Sequence, residues 1–108
     1  MAESSVLRAF GARSSDGSAQ LVGIAHFLYY ESAWTTHEVC YLQDLYVDPA
    51  HRGRGVGRQL IEAVAEAARI RSCDKLYWLT HESNAAARSL YDAVAHYNGF
   101  MRYDLALG

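Results

Sequence analysis

The sequence has little cysteine and no pattern of metal ligands. Two cysteines occur in 108 residues, Cys40 and Cys73, and their spacing fits neither a disulfide framework nor a metal site. The five histidines also show no ligand spacing, so we expect no metal. Low cysteine usage is typical of proteins of a reducing compartment, which predicts a cytoplasmic location.

Long apolar runs and an excess of basic residues are absent as well. The longest apolar stretch, Leu21 to Tyr30, is about half a membrane span and contains Gly23 and His26, which excludes a transmembrane helix. The N-terminus lacks the basic start and apolar core of a signal peptide, so we expect no export. A net charge of −2 disfavours a general nucleic-acid binder.

What the chain does have is the composition of a folded domain. Hydrophobic residues make up 51% and charged residues 20% of the sequence, and 108 residues suit one domain, 1–108. Alternating and apolar segments predict strands at Val6–Arg13, Gln20–Glu31 and Glu38–Val47. Strict alternation in the third strand puts these residues on one face: Val39, Tyr41, Gln43, Leu45 and Val47. The other face then carries Cys40, Leu42, Asp44 and Tyr46.

The second half of the sequence changes from period two to period 3.6. The pattern predicts a helix from Val56 to about Arg71, a strand at Leu76–Thr80, a helix at Ala85–Tyr97 and a last strand at Phe100–Leu107. Ser83 and Asn84 form the N-cap signal of the second helix. The order β-β-β-α-β-α-β predicts an α+β fold with a mixed sheet, in which antiparallel hairpins precede a parallel crossover.

The loop before the first helix carries the strongest functional signal. It contains three arginines and three glycines around Val56: Arg52, Gly53, Arg54, Gly55, Gly57 and Arg58. Glycines let the backbone approach a ligand, and free N–H groups at a helix start bind phosphate. The arginines add forked cationic donors. The loop therefore predicts a phosphate or diphosphate site, although it matches neither a P-loop nor the dinucleotide fingerprint.

These residues resemble a known family. Arg52-x-x-Gly55-x-Gly57 follows the strand end Asp44-Leu45-Tyr46-Val47-Asp48-Pro49, and it precedes Asn84, Ala87-Arg88-x-Leu90-Tyr91 and Gly99-Phe100. This arrangement resembles the GNAT acetyltransferases, most closely the branch with spermidine/spermine and histone/polyamine acetyltransferases. The resemblance implies acetyl-CoA as co-substrate, with backbone groups of Leu45, Tyr46 and Val47 pairing with its pantetheine arm. It further implies that residues 52–58 bind the diphosphate, Asn84 bonds to the arm, and Tyr91 protonates the leaving thiolate.

The implied activity is direct transfer of an acetyl group to a primary amine of a small molecule, polyamine-like or another amino compound. The alternatives are a protein or peptide lysine acetyltransferase, a non-catalytic acyl-CoA-binding module, and a structural subunit that only dimerises. We expect Gln43, Asp44 and Trp34 on the acceptor side. The general base stays open, because Gln43 stands where relatives have Glu, and the candidates are His81, Glu82 and Glu38.

The resemblance also implies that one strand and two helices of the family fold are missing before Val6. We therefore expect an uncovered apolar sheet face that includes Phe27, Tyr29 and Trp34, and a homodimer that buries it. The stretch from Tyr91 to Gly99 is about one turn longer than in the family. We expect the second helix to be longer, with Tyr97 capping the core.

Overall fold

The computed structural model describes residues 6–14, 20–33, 35–80, 84–99 and 102–106. Three long strands come first, β1 (Arg8–Arg13), β2 (Leu21–Glu31) and β3 (Glu38–Val47). A 3-10 turn at Pro49–His51 leads to helix α1 (Val56–Ile70), which is followed by β4 (Leu76–Tyr77) and α2 (Ala85–Val94). In the described part of the chain, no helix is long and apolar enough to cross a bilayer.

The sheet has the order β1-β2-β3-β4. The pairs β1–β2 and β2–β3 are antiparallel, and β3–β4 is parallel, with α1 as the crossover. The mixed α+β fold predicted from the sequence is confirmed. The bounds of β3 also match the prediction, and those of α1 agree to within one residue at its C-terminal end.

A β-bulge interrupts the pairing of β2 with β3. His26 pairs with Asp44, but the next residue, Phe27, pairs with Leu42, so that Gln43 is the extra residue in β3. A bulge of this kind breaks the alternation of side chains along the strand. Leu42 and Leu45 therefore both pack into the same core, and the strictly alternating faces predicted for β3 are wrong beyond Leu42.

The core lies between one sheet face and α1. Helix α1 buries Leu60, Ile61, Val64 and Ala68, which pack on residues of all the long strands, among them Phe10, Ala25, Phe27, Tyr29, Cys40 and Leu42. Phe27 and Tyr29 are 2% and 5% exposed, so the expectation that they lie on an uncovered face is wrong. Arg8 and Arg71 stack on the Tyr29 ring at 5.1 and 4.3 Å from its centroid.

The opposite sheet face is only partly covered. Ile24, Leu28 and Tyr30 of β2 are partly exposed there, since they alternate with the buried residues of that strand. Tyr41 stacks on Tyr77 with ring centroids 5.0 Å apart, and the Tyr30 and Tyr77 hydroxyls share a hydrogen bond. We call this surface the open face, defined by Ile24, His26, Leu28, Tyr30, Tyr41, Asp44, Tyr46 and Tyr77.

The sequence prediction overextends several elements. Strand β1 begins at Arg8, not Val6, and β4 ends at Tyr77, not Thr80. Helix α2 ends at Val94 because Ala95 is extended, and Tyr97 is 70% exposed, so it does not cap the core. Residues 102–106 form no strand, and the rest of the predicted strand Phe100–Leu107 lies outside the described residues. These segments have strand or helix composition but no buried surface against which to pack.

Candidate functional site

The start of α1 presents free backbone donors. Gly55 is the N-cap residue, no side chain caps this end, and the first turn contains no acidic residue. Gly53 and Gly55 have φ values of 78° and 81°, which a residue with a Cβ adopts only with strain. The two glycines thus turn the chain so that the first N–H groups of a 15-residue helix face outward, where they can bind an anion.

The three arginines of the loop have different surroundings. Arg52 donates from Nε to the Val47 carbonyl at 3.0 Å, and its guanidinium lies 5.9 Å from the centre of the Tyr46 ring. Arg58 pairs with Glu62, one turn along the helix, at 3.2 Å. Arg54 is exposed and forms no hydrogen bond or ion pair with the residues that the structure describes. Arg52 is thereby held at the end of β3 beside the helix N-terminus, and its terminal N–H groups form no hydrogen bond within the described part of the chain.

Gly57 has a packing role that differs from that of the other two glycines. A Cβ at this position would lie 3.4 Å from Leu90 of α2 and 3.7 Å from Val47 of β3. Its φ is not in the left-handed region. Gly57 therefore lies where the start of α1 meets the end of β3 and the middle of α2, and the space there admits a methyl group in ordinary van der Waals contact.

On the side of β4, the second half of β3 has no backbone partner among the residues that the structure describes. Its parallel pairing with β4 covers only Cys40 and Tyr41, and Cys40 donates its N–H to Lys75 on that side. Asp48 donates instead to Val22 of β2. Alternate residues of a strand send their backbone groups to the same side. The backbone groups of Tyr46 therefore also point to β2, whereas those of Leu45 and Val47 point to the opposite side of β3, past the end of β4.

Of the three residues predicted to pair with an acyl-CoA arm, the structure therefore leaves two with available backbone groups. Leu45 presents both its backbone groups along the edge, and Val47 presents its N–H, since the Val47 carbonyl accepts from Arg52 Nε. Tyr46 has its backbone engaged with β2 and presents a half-exposed ring. The bulge causes this division. Its extra residue shifts the alternation by one, so that after the bulge the odd-numbered residues point their backbone groups away from β2.

Asn84 and Tyr91 both belong to α2 but differ in burial. Asn84 is the exposed N-cap residue, and its Oδ1 accepts a hydrogen bond from the Ala87 N–H at 3.2 Å. Tyr91 is partly buried against the core, with its ring 5.3 Å from that of Trp78. Burial raises the pKa of the Tyr91 hydroxyl above its usual value. The hydroxyl thus keeps its proton at neutral pH and can donate it.

The residues expected on the acceptor side are only partly brought together. Gln43 is the exposed extra residue of the bulge, and Asp44 beside it is exposed on the open face. Trp34, His81 and Glu82 lie outside the described residues. Glu38 lies at the opposite end of β3, where hydrogen bonds from Arg71 at 2.8 and 3.4 Å lower the pKa of its carboxyl. Its seven-residue separation from Leu45, about 23 Å of strand, removes Glu38 as a base.

One residue was missed by the sequence reasoning. His26 lies opposite Asp44, with Nδ1 at 3.4 Å from Oδ2. No local signal marks His26 in the sequence, because the pairing of positions 26 and 44 depends on where the bulge falls.

The thiols do not provide a nucleophile. Burial, the largest cause, and the proximity of Cys73 raise the pKa of Cys40 to about 12, and burial and Glu38 raise that of Cys73. Both groups are therefore neutral thiols near pH 7, whereas formation of an acyl-enzyme would need a thiolate. Two surface concavities, of about 380 and 320 Å³, lie beside the Thr35–Glu38 segment and between β1 and α1, and neither is lined by the anion loop.

Comparison with known proteins identifies the relatives of this chain. The Acetyltransferase (GNAT) family profile matches residues 5–97. A D-amino-acid N-acetyltransferase of Saccharomyces cerevisiae is 41% identical over 75 residues, which is 69% of this chain and 47% of that protein. A thialysine N-epsilon-acetyltransferase of Bos taurus is 35% identical over 74 residues, 68% of this chain and 43% of that protein. The chain thus spans less than half the length of these relatives.

Solved structures have the same fold. The ribosomal-protein-alanine N-acetyltransferase of Brucella melitensis biovar Abortus 2308 superposes with a TM-score of 0.81 at 28% identity, over 94% of this chain and 71% of that one. An aminoglycoside N-acetyltransferase solved in complex with CoA has a TM-score of 0.81 at 22% identity, over 94% of this chain and 76% of that one. The second likeness is evidence for the fold alone.

We predict that CoA binding depends on Arg52. An Arg52→Ala change removes a charged donor worth about 1.5–3 kcal/mol, so the affinity for CoA falls about ten- to a hundredfold. Gly55→Glu adds strain and a like charge and lowers the affinity further. Isothermal titration calorimetry with CoA measures both effects. Arg69→Ala, at the other end of α1, is the control, and loop variants that bind CoA as tightly as this control would contradict the assignment.

Proposed function

The chain belongs to the GNAT acetyltransferase family, and we propose that it transfers the acetyl group of acetyl-CoA to a primary amine of a small molecule. The observation that carries the proposal is the continuity of two features, the free edge at Leu45 and Val47 and the anion loop that follows directly. An extended acyl arm that ends in a diphosphate matches this order of an unpaired strand edge and a helix N-terminus. The names of the relatives supply the amine class.

The residues present fit acetyl-CoA in their donor chemistry. The first-turn N–H groups of α1 would hold the diphosphate, together with Arg52, Arg54 and Arg58. Leu45 and Val47 would bond to the amide groups of the arm, as an added strand does. The Asn84 side-chain NH₂ remains a donor toward the arm, because capping of α2 uses only the oxygen.

The chemistry needs an oxyanion donor and an acid. Attack of a neutral amine on the thioester carbonyl places negative charge on the carbonyl oxygen, and the Leu45 N–H, the free donor closest to the bulge, would stabilise it. Collapse then breaks the C–S bond. Tyr91, whose raised pKa keeps its hydroxyl protonated before the reaction, would donate its proton to the leaving thiolate.

The acceptor would approach across the open face. Asp44 has a side chain that is 62% exposed and directly precedes Leu45, so that its carboxylate can attract an ammonium group toward the reacting carbon. A small amine with a second cationic or polar group fits such an exposed site. Amino acids, thialysine and polyamines are all of this kind, and lysine peptides are the second acceptor class.

The proposal is tested by release of free thiol from acetyl-CoA in the presence of an amine panel. The panel contains a D-amino acid, thialysine, spermidine and a lysine peptide. We expect turnover with at least one small amine and lower kcat/KM with the peptide. CoA binding without turnover on any amine would instead identify a binding module, and absence of CoA binding would identify a structural protein.

We predict that Tyr91→Phe separates turnover from stability. The change keeps the ring contact with Trp78 and removes only the hydroxyl, so the melting temperature and the CoA affinity stay nearly the same. Turnover falls about 10²–10⁴-fold, the usual contribution of a general acid. Tyr97→Phe, an exposed position, is the control in the same thiol assay. Full turnover of the Tyr91 variant would make Tyr91 a packing residue only.

We also propose that the chain forms a homodimer through the aromatic end of the open face, at Leu28, Tyr30, Tyr41 and Tyr77, which leaves His26 and Asp44 uncovered. Its aromatic side chains form a continuous surface across β2, β3 and β4, and monomers rarely leave large apolar patches in water. Light scattering at micromolar concentration should give about twice the mass of 12.0 kDa. Leu28→Lys places a charge at the centre of this surface and should return the protein to a monomer, whereas a monomeric wild type would refute the interface.

A further inference from the structure

A histidine and an aspartate meet on the open face beside the bulge. His26 of β2 and Asp44 of β3 are direct cross-strand partners, and His26 Nδ1 lies 3.4 Å from Asp44 Oδ2. Their side chains are 32% and 62% exposed, so both are within reach of a solute. Without the bulge, Gln43 and not Asp44 would lie opposite His26.

The pair is close to the backbone group that would meet the reacting carbonyl. Asp44 and Leu45 are consecutive, about 3.3 Å apart along the strand, and Leu45 is the first residue after the bulge with its N–H on the free edge. His26 lies directly across from Asp44. The sheet thus places an imidazole one strand away from an oxyanion donor, on the face from which an acceptor would arrive.

We propose that His26 is the general base that accepts the proton of the attacking amine, and that Asp44 positions it; this assignment rests on the acetyl transfer proposed above. A carboxylate only accepts hydrogen bonds, so Asp44 holds the proton on Nδ1 and leaves Nε2 as the acceptor. The hydrogen bond is long, as such contacts often are before substrate binds.

The proton and electron balance is complete without another reactant. The nitrogen lone pair forms the C–N bond, and the carbonyl π electrons move to oxygen. The nitrogen becomes positively charged when it bonds to the carbonyl carbon, which makes its N–H proton strongly acidic. This proton passes to Nε2 of His26. The carbonyl double bond re-forms as the C–S electrons leave with sulfur, which takes a proton from Tyr91. The proton on His26 then passes through water to the Tyr91 oxygen, so that both side chains regain their starting protonation states.

The groups around His26 favour this role. Ala9 faces it from β1, Asp44 faces it from β3, and Tyr41 and Tyr46 add neutral phenols on the same face. Two cations lie on the same face, Arg52 against the Tyr46 ring and Arg102 beside Tyr41, while Arg8 is on the covered face over Tyr29. Asp44 is the charged group that pairs with the imidazole, and its carboxylate stabilises the imidazolium formed when the proton arrives.

The chain contains a matched control for this pair. His37 and Asp74 form a second exposed pair, with Nδ1 at 3.2 Å from Oδ1. That pair lies at the opposite end of β3, far from Leu45. It has the same contact between an imidazole and a carboxylate, but it cannot reach the reacting carbon. An effect that comes only from breaking a surface histidine–aspartate pair would appear at both sites.

The test compares His26→Asn with His37→Asn in the thiol-release assay across pH. Asparagine places an amide N–H near the position of Nδ1 and retains the contact with Asp44, but it cannot accept the proton. We expect His26→Asn to lower kcat about 100-fold, with CoA affinity unchanged. The pH profile of kcat/KM in His26→Asn differs from that of the wild type. His37→Asn keeps the wild-type rate and profile.

The outcomes separate this inference from the proposed function. Wild-type turnover together with an unaltered rate and pH profile in His26→Asn would overturn the base assignment and leave acetyl transfer intact. Equal losses in both histidine variants would overturn it too, since the effect would be structural. A wild type that binds CoA but acetylates no amine would overturn the transfer itself and the base with it.

Discussion

The extra residue in β3 determines most of what this fold presents to a ligand. Gln43 shifts the register with β2 by one position, and two consequences follow. Side chains after the bulge exchange faces, so Leu45 enters the core and Asp44 reaches the open face. Backbone directions exchange as well, so Leu45 and Val47 face the unpaired edge. A regular strand would turn the same residues the other way.

The anion loop adjoins a second feature, the contact between three elements at Gly57. The start of α1 is flanked there by Val47 at the end of β3 and by Leu90 of α2, and a Cβ on Gly57 would lie 3.7 and 3.4 Å from them, which is ordinary van der Waals contact. The start of α1, the end of β3 and the middle of α2 therefore meet at this point, although each lies in a different part of the sequence.

The sequence predicted the features that are encoded locally. The bounds of β3, the start of α1 and the turn residues Gly53 and Gly55 follow from alternation, helical period and glycine placement. The bulge could not be predicted from the sequence, because a residue of β3 is extra only relative to the residues of β2 with which its neighbours pair. The pairing of His26 with Asp44 escaped detection for the same reason. Helix α2 and β4 were overextended, since composition alone does not tell where a covering surface ends.

The central claim is that the bulge frees Leu45 and Val47, and not Tyr46, to bond to an acyl-CoA arm. Amide hydrogen exchange measured by NMR, with and without acetyl-CoA, tests this most directly. The account predicts that the Leu45 and Val47 N–H groups exchange more slowly when acetyl-CoA is bound, and that the Tyr46 N–H, already bonded to β2, is slow in both states. Saturating acetyl-CoA that leaves Leu45 and Val47 unprotected would contradict it.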